Sequence, residues 1–218
     1  MTRLTVPDPD ERADLGAFVA RVVRLDQAAL VRLQGAGGTV SAWASTPFDV
    51  LATRTVHGAL EPADVTAPAA GLLTALTVER AETVDPGAGG LWQGELPPAE
   101  GWQPVDEVPA AELERLTERG LALARENAGP MGPPASLLDQ TVLTVSAEGP
   151  VAGPSTGTGT RPAVKVPLRC LFALSGMGFL GEDGPAVRVS ATGTWMRLDA
   201  RYGAVVRRRI TALPLLVG

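Results

Sequence analysis

His57, Cys170, Lys165, Tyr202 and Asn127 are each the single representative of their residue type in 218 residues. Proton transfer near neutral pH and covalent catalysis draw on these side chains. Here each occurs once, and the five are scattered along the chain. One stretch, Gly153-Pro154-Ser155-Thr156-Gly157, has the G-x-S-x-G form of a hydrolase nucleophile elbow. That motif needs a strand before the serine, a helix after it and a histidine later in the chain. Here it sits in a Gly/Thr/Pro loop and His57 precedes it. There is no P-loop and no G-x-G-x-x-G between a strand and a helix. A lone cysteine excludes an internal disulfide framework and a cysteine-based zinc site, and His57 has no second histidine with which to share a metal. These residues point to a non-catalytic binding protein without a cofactor or metal.

Other side chains have ordinary readings. Cys170 lies among apolar neighbours and is expected to be a buried, inert thiol. Trp43 and Trp195 fall in strands and read as core. Trp92 and Trp102 either expose a binding surface or pin a Gly/Pro-rich connector to the body; pinning is favoured. Strand alternation sends Arg207 and Arg209 to one face and Arg208 to the other. Residues 1–150 hold 10 Arg against 21 Asp and Glu, a net of −11, while residues 151–218 hold nine Arg and Lys against three acids, a net of +6. Either the basic part meets phosphate, or it packs against the acidic part of the same chain or of a second copy.

The elements that must position these residues follow from pattern. Asp8-Pro9-Asp10-Glu11 starts a helix, with Leu15, Phe18, Val19, Val22 and Val23 on one face. Ala29–Gln34, Thr39–Ser45 and Val50–Val56 read as an antiparallel meander whose first turn holds Gly37-Gly38. A short apolar helix runs through Leu72, Leu73 and Leu76, and Val78–Val84 reads as a strand. Residues 85–104 are rich in Gly and Pro and form the connector. Val105–Val108 is a short strand. Pro109 opens a second long helix, with Leu113, Leu116 and Leu123 on one side and Arg115 and Arg119 on the other. Gln140–Ser146 is a strand, 149–162 a flexible loop, and Pro167 enters an apolar helix. Ala186–Thr194, Met196–Asp199, Ala204–Arg209 and Ile210–Val217 are closing strands. The expected fold class is α+β: two similar domains of antiparallel sheet with helices on one face, over residues 1–84 and 105–218. The N-terminus lacks the pattern of a secretory signal and no apolar run is long enough to cross a bilayer, so a reducing cytoplasm is the expected compartment.

In this order of elements the chain resembles the DNA sliding clamps, the bacterial β-clamp and the PCNA-like clamps. The stretches that carry the likeness are ERADLGAFVARVV, ALVRLQGAGGTVSAWAS, FDVLATRTV, DVTAPAAGLLTAL and VERAETV, then ELPPAEGWQPVDEVPAAELERL, VKVPLRCLFAL and the tail TALPLLVG. The resemblance implies a DNA-binding surface on the helices, with Arg21, Arg24, Arg115, Arg119, Lys165 and Arg169 as its cations. It implies a pocket including Leu213, Pro214, Leu215 and Leu216 that takes short partner peptides, and a homo-oligomeric ring acting in DNA replication or repair. Two domains match a PCNA-like subunit, whereas bacterial clamps have three per chain. The helix at 68–77 has no basic residue, and Glu112, Glu114, Glu118 and Glu126 dilute the second long helix. An α+β scaffold that binds a protein partner without nucleic acid is the alternative.

Overall fold

The computed structural model describes residues 2–79, 81–130, 132–146, 163–181 and 184–209. After strand β1 (Arg3–Thr5), helix α1 (Pro9–Leu25) begins where the carboxylate of Asp8 accepts the amides of Asp10 at 2.7 Å and Glu11 at 3.1 Å, with Pro9 at the first helical position. Strands β2 (Leu30–Ala36), β3 (Thr39–Thr46) and β4 (Val50–His57) form the expected antiparallel meander. Gly37 and Gly38 make its first turn at φ 56° and 79°, a left-handed pair that L side chains resist. Strands β5 (Ala59–Glu61) and β6 (Asp64–Pro68) lead to helix α2 (Ala69–Thr74), which continues as a π-helical turn over Ala75–Glu79. The strand expected over Val78–Val84 is therefore reduced to β7 (Thr83–Val84). Leu76 is 6% exposed and Val78 73% exposed, so helical winding sends one inward and the other out, where strand alternation would have put both on one face.

The second half runs β8 (Gln103–Val108), α3 (Ala110–Glu126), a single turn α4 (Ala135–Leu138), β9 (Thr141–Ser146), β10 (Ala163–Pro167), α5 (Leu168–Gly176), β11 (Val187–Thr192), β12 (Trp195–Ala200) and β13 (Gly203–Arg208). On α3 the buried positions Leu113, Thr117, Gly120 and Ala124 form a stripe at helical spacing. A Cβ on Gly120 would lie 2.2 Å from Leu168 Cδ1, so the glycine lets α3 and α5 approach. The loop expected at 149–162, the G-x-S-x-G stretch and the strand expected at Ile210–Val217 lie outside the described residues.

One sheet joins the two halves. Its order is β6-β2-β3-β4-β13-β12-β11-β8, and the junction is the antiparallel pair of β4 and β13, with Leu51, Ala52 and Thr53 opposite Val206, Val205 and Ala204. Two smaller sheets, β5-β1-β7 and β10-β9, are also present among the described residues. All pairings among the described strands are antiparallel, and α1 and α5 pack on the same face of the large sheet, α1 beside α2 and α5 beside α3. The core lies between this helical row and the sheet. Phe18 on α1 stacks on Phe179 beyond α5, with ring centroids 6.4 Å apart, which ties the halves together on the helix side.

The opposite face is crossed by the connector. Gly89 donates to Thr66 O at 2.9 Å on edge strand β6, and Gln103 enters β8 at the other edge. Seven interstrand gaps span about 34 Å, which 14 residues reach when extended (up to about 48 Å) but not as a helix (about 21 Å). The Gly/Pro composition of residues 85–102 suits that extended path.

Candidate functional site

On the helical face the sequence-expected cations separate into different environments. Arg21 is half-buried beside Gly178, where a Cβ would stand 3.0 Å from its Nε. Arg24 is exposed and donates to Gly176 O at 2.9 Å, satisfying a carbonyl at the C-terminus of α5. These two lie one turn apart at the end of α1. Arg115 and Arg119 are exposed on α3; Arg115 pairs with Glu112, and Arg119 has no ion pair among the described residues. α2 presents no charged side chain along Ala69–Thr74. Lys165 is exposed but sits on strand β10 opposite Thr144, not on a helix. Val164 and Val166 are fully buried, so alternation turns Lys165 away from the core.

Arg169 is not on an open surface. It is 7% exposed, donates to Phe48 O at 2.9 Å, and lies 2.8 Å from Asp139 Oδ1 and 3.5 Å from Asp49 Oδ2. Arg207 of β13 completes the cluster at 3.1 Å from Asp49 and 3.4 Å from Asp139. Two guanidinium groups and two carboxylates thus neutralise one another where the halves meet. The expectation that Arg169 faces phosphate gives way to this internal role, because a buried charge is held by its partners.

Two of the groups with catalytic potential, His57 and Cys170, lie within the described residues, whereas Ser155 lies outside them. His57 is exposed, and its Nδ1 lies 2.7 Å from Glu11 Oε1 while its amide donates to Glu11 Oε2. The Glu11 carboxylate raises the imidazole pKa above its ordinary value, and the hydrogen bonds from His57 lower that of Glu11. Burial pushes the Cys170 thiol up to about 12, so no thiolate nucleophile is available. Among the described residues no group of three His, Cys, Asp or Glu could hold a metal ion, and no helix is long and apolar enough to cross a membrane.

On the other face of the sheet lies a tryptophan layer. Trp43, Trp195 and Val206 are buried there, with Leu51, Trp92, Leu96 and Trp102 packed on them. Trp92 and Trp102 do pin the connector; Trp102 Nε1 also donates to Pro98 O at 3.0 Å, and the Arg197 guanidinium lies 6.0 Å from the Trp102 ring centre. Trp43 Nε1 and Trp92 Nε1 are buried without acceptors. Beside this layer opens a cavity of about 460 Å³, bounded by the β3–β4 turn, β12, β13 and connector residues 93–95. Leu51, Trp195, Val206, Arg207, Arg208 and Arg209 are among the residues that line it, the Arg207 guanidinium being held by Asp49 and Asp139 and that of Arg209 by Ala163 O. Arg208 pairs with Glu95 of the connector and lies 5.3 Å from the Trp195 ring centre. Leu213, Pro214, Leu215 and Leu216 lie outside the described residues.

Sequence reasoning missed this cavity and the role of Glu95. A signal existed: Trp43, Leu51, Trp195 and Val206 are apolar on positions that alternate with core residues, so both faces of the central strands are covered.

Comparisons with known proteins agree with this architecture. The DNA polymerase sliding clamp of Pseudomonas aeruginosa aligns over 99% of this chain and 66% of its own, with a TM-score of 0.56 and 16% identity. That of Bacillus subtilis aligns over 97% and 65%, with a TM-score of 0.59 and 12% identity. The Caulobacter crescentus pol III beta aligns over 97% and 66%, with a TM-score of 0.54 and 20% identity. The fold is thus a divergent sliding-clamp-like α+β fold, and the chain spans about 66% of the length of these clamps. No curated protein matches the chain. A family model described as Domain of unknown function (DUF8010) matches residues 1–93. A second, described as Domain of unknown function (DUF8185), matches residues 97–212, more than half of the chain, and the chain belongs to that family.

Proposed function

We propose that this is a non-catalytic, clamp-like protein of DNA replication or repair that binds partner peptides and, more weakly, duplex DNA. The observation that carries the reading is the fold likeness to DNA polymerase sliding clamps along 97–99% of the chain. The peptide surface is the cavity between the β3–β4 turn and β13; Leu213, Pro214, Leu215 and Leu216, proposed for the same role, lie outside the described residues. The DNA surface is the helical row, through Arg21, Arg24, Arg115 and Arg119; Lys165 stands apart from it, and Arg169 is neutralised. Phosphate neutralisation dominates non-specific DNA affinity, so four cations diluted by acids support only modest binding. Residues 1–84 and 105–218 serve as the two domains, joined by 85–104, and three copies would close a ring. Sedimentation of the full chain tests the ring: a trimer is expected, and a monomer at all concentrations restricts the likeness to fold. Binding to duplex DNA across a salt series tests the DNA role, and affinity that is absent at low salt removes it.

The alternative, a scaffold for a protein partner without nucleic acid, is favoured by the net charge of −11 over residues 1–150. Partner capture that survives nuclease treatment supports it; capture that collapses counts against it.

A further inference from the structure

A second concavity lies among the helices where the two halves meet. It is a groove of about 560 Å³ between the end of α3, α5 and the β3–β4 turn. Its walls are apolar: Leu121 on α3, Leu138 on α4, Phe172 on α5 and Phe48 in the turn. The rings of Phe48 and Phe172 meet edge to face, with centroids 5.9 Å apart and planes at 69°. Phe48 belongs to the first half of the chain and the other three residues to the second, so a molecule seated there touches both. Small-molecule sites favour such junctions, and the volume falls in their usual range of about 300–1,000 Å³.

Among the described residues, Arg125 is the one charged side chain that lines this groove. It is exposed, and its guanidinium has no hydrogen bond or ion pair among them. The sequence explains why: the residues three and four positions away on either side are Ala122, Leu121, Ala128 and Gly129, so no acid can reach it along the helix. Two other concave surfaces differ. In the sheet-side cavity, Asp49 and Glu95 balance Arg207 and Arg208. In the groove between α1 and α2, Arg12 donates to Val6 O at 2.6 Å and to Pro7 O at 3.3 Å. Of the three, only the α3–α5 groove joins apolar walls to an uncommitted cation. A guanidinium takes a carboxylate through two parallel hydrogen bonds. A polyanion would leave charge uncompensated against the apolar walls.

We propose that this groove binds a small amphipathic monocarboxylate such as a medium-chain fatty acid, with Arg125 on the carboxylate and the hydrocarbon part between Phe48, Phe172 and Leu138. Phe48 and Leu138 immediately precede Asp49 and Asp139, the acids that hold Arg169 and Arg207. The ligand therefore sits against the charge cluster that joins the halves.

The test uses the full chain and the fluorescent apolar anion 8-anilino-1-naphthalenesulfonate, displaced by decanoate, decanol or decylamine below their micelle-forming concentrations. Decanoate is expected to displace the dye from one site per chain, and decanol and decylamine to do so about ten-fold less well. Arg125→Gln should weaken decanoate about ten-fold and leave decanol unchanged, a split that a merely structural role would not produce. Leu121→Glu places a carboxylate in the groove and should weaken decanoate at least as much. Both positions are exposed, and an unchanged thermal midpoint without ligand shows that each variant keeps the fold. Arg208→Gln, in the sheet-side cavity, should leave decanoate affinity unaltered. No displacement by millimolar decanoate overturns the site. Decanol binding as tightly as decanoate, or an Arg125→Gln variant that binds decanoate normally, overturns the carboxylate assignment. Loss of affinity in Arg208→Gln alone moves the ligand to the sheet-side cavity and overturns the proposal. Each of these failures leaves the peptide and DNA readings standing, since neither uses Arg125.

Discussion

Ala52 of β4 stands directly opposite Val205 of β13, so the two halves of the chain share one antiparallel sheet. Both side chains are buried, at 0% and 1% exposure, beneath the helical row. Each half therefore borrows part of its core from the other. Truncating Val205 removes buried methyl groups at that seam, and Val205→Ala is expected to cost about 2 kcal/mol. Because the seam is shared, tryptophan fluorescence and far-ultraviolet circular dichroism should report one coincident denaturant transition, shifted to lower midpoint in the variant. Two separated transitions would show that the halves unfold independently.

The neutral cluster at the same junction predicts a split between stability and DNA binding. Arg169→Ala loses the bond to Phe48 O, the contact to Asp139 and its aliphatic packing, while Arg207 still attends both acids. The expected loss is roughly 2–3 kcal/mol, with duplex affinity unchanged. Denaturation and DNA anisotropy on the same preparation check this; a ten-fold loss of duplex affinity at unchanged stability would return Arg169 to the DNA surface.

How much of this was legible beforehand varies with sequence distance. The start of α1 was readable because Asp8 and Pro9 act locally, and the β2–β3 turn because Gly37 and Gly38 permit left-handed backbone. The connector's Gly and Pro residues marked it as non-helical. The pairing of β4 with β13 was not readable, because it joins residues some 150 positions apart and no local pattern encodes it. Lys165 was misplaced onto a helix because Pro167 ends a strand here and α5 starts only at Leu168. Arg169 looked like a surface cation because its carboxylate partners, Asp49 and Asp139, lie far away in the chain.

The surviving DNA candidates fix a ceiling on salt dependence. With Arg21, Arg24, Arg115 and Arg119 as the only contributors, the slope of log affinity against log salt should be no steeper than about −4. Arg119→Gln should flatten it by about 1 and leave the unfolding midpoint unchanged, since Arg119 is exposed and carries no ion pair among the described residues. A slope near −8 would require a basic surface other than the helical row.

Cys170 gives a direct check on the core. With the thiol pushed up to about 12 by burial, native protein should not react with a disulfide reagent such as dithionitrobenzoate at pH 8. Unfolding in guanidinium should release one equivalent. Rapid native labelling would mean that α5 opens from the sheet.

The single histidine makes the bond between α1 and β4 readable by proton NMR without assignment. Glu11 raises the pKa of His57 above its ordinary value of 6.5, and His57 lowers that of Glu11 below 4.5. A raised histidine pKa adds stability that is complete below the unfolded value and lost as pH climbs through the folded one. A lowered glutamate pKa adds stability that is complete above its unfolded value and lost as pH falls through the folded one. The pair is therefore strongest between about pH 4.5 and 6.5 and fades on both sides. The imidazole Cε1 proton should titrate with a midpoint above 6.5 in the wild type, and Glu11→Gln should bring it back toward 6.5. Because His57 lies on the surface, the shift should shrink at high salt. An identical midpoint in both proteins would mean that the imidazole does not hold Glu11 in solution.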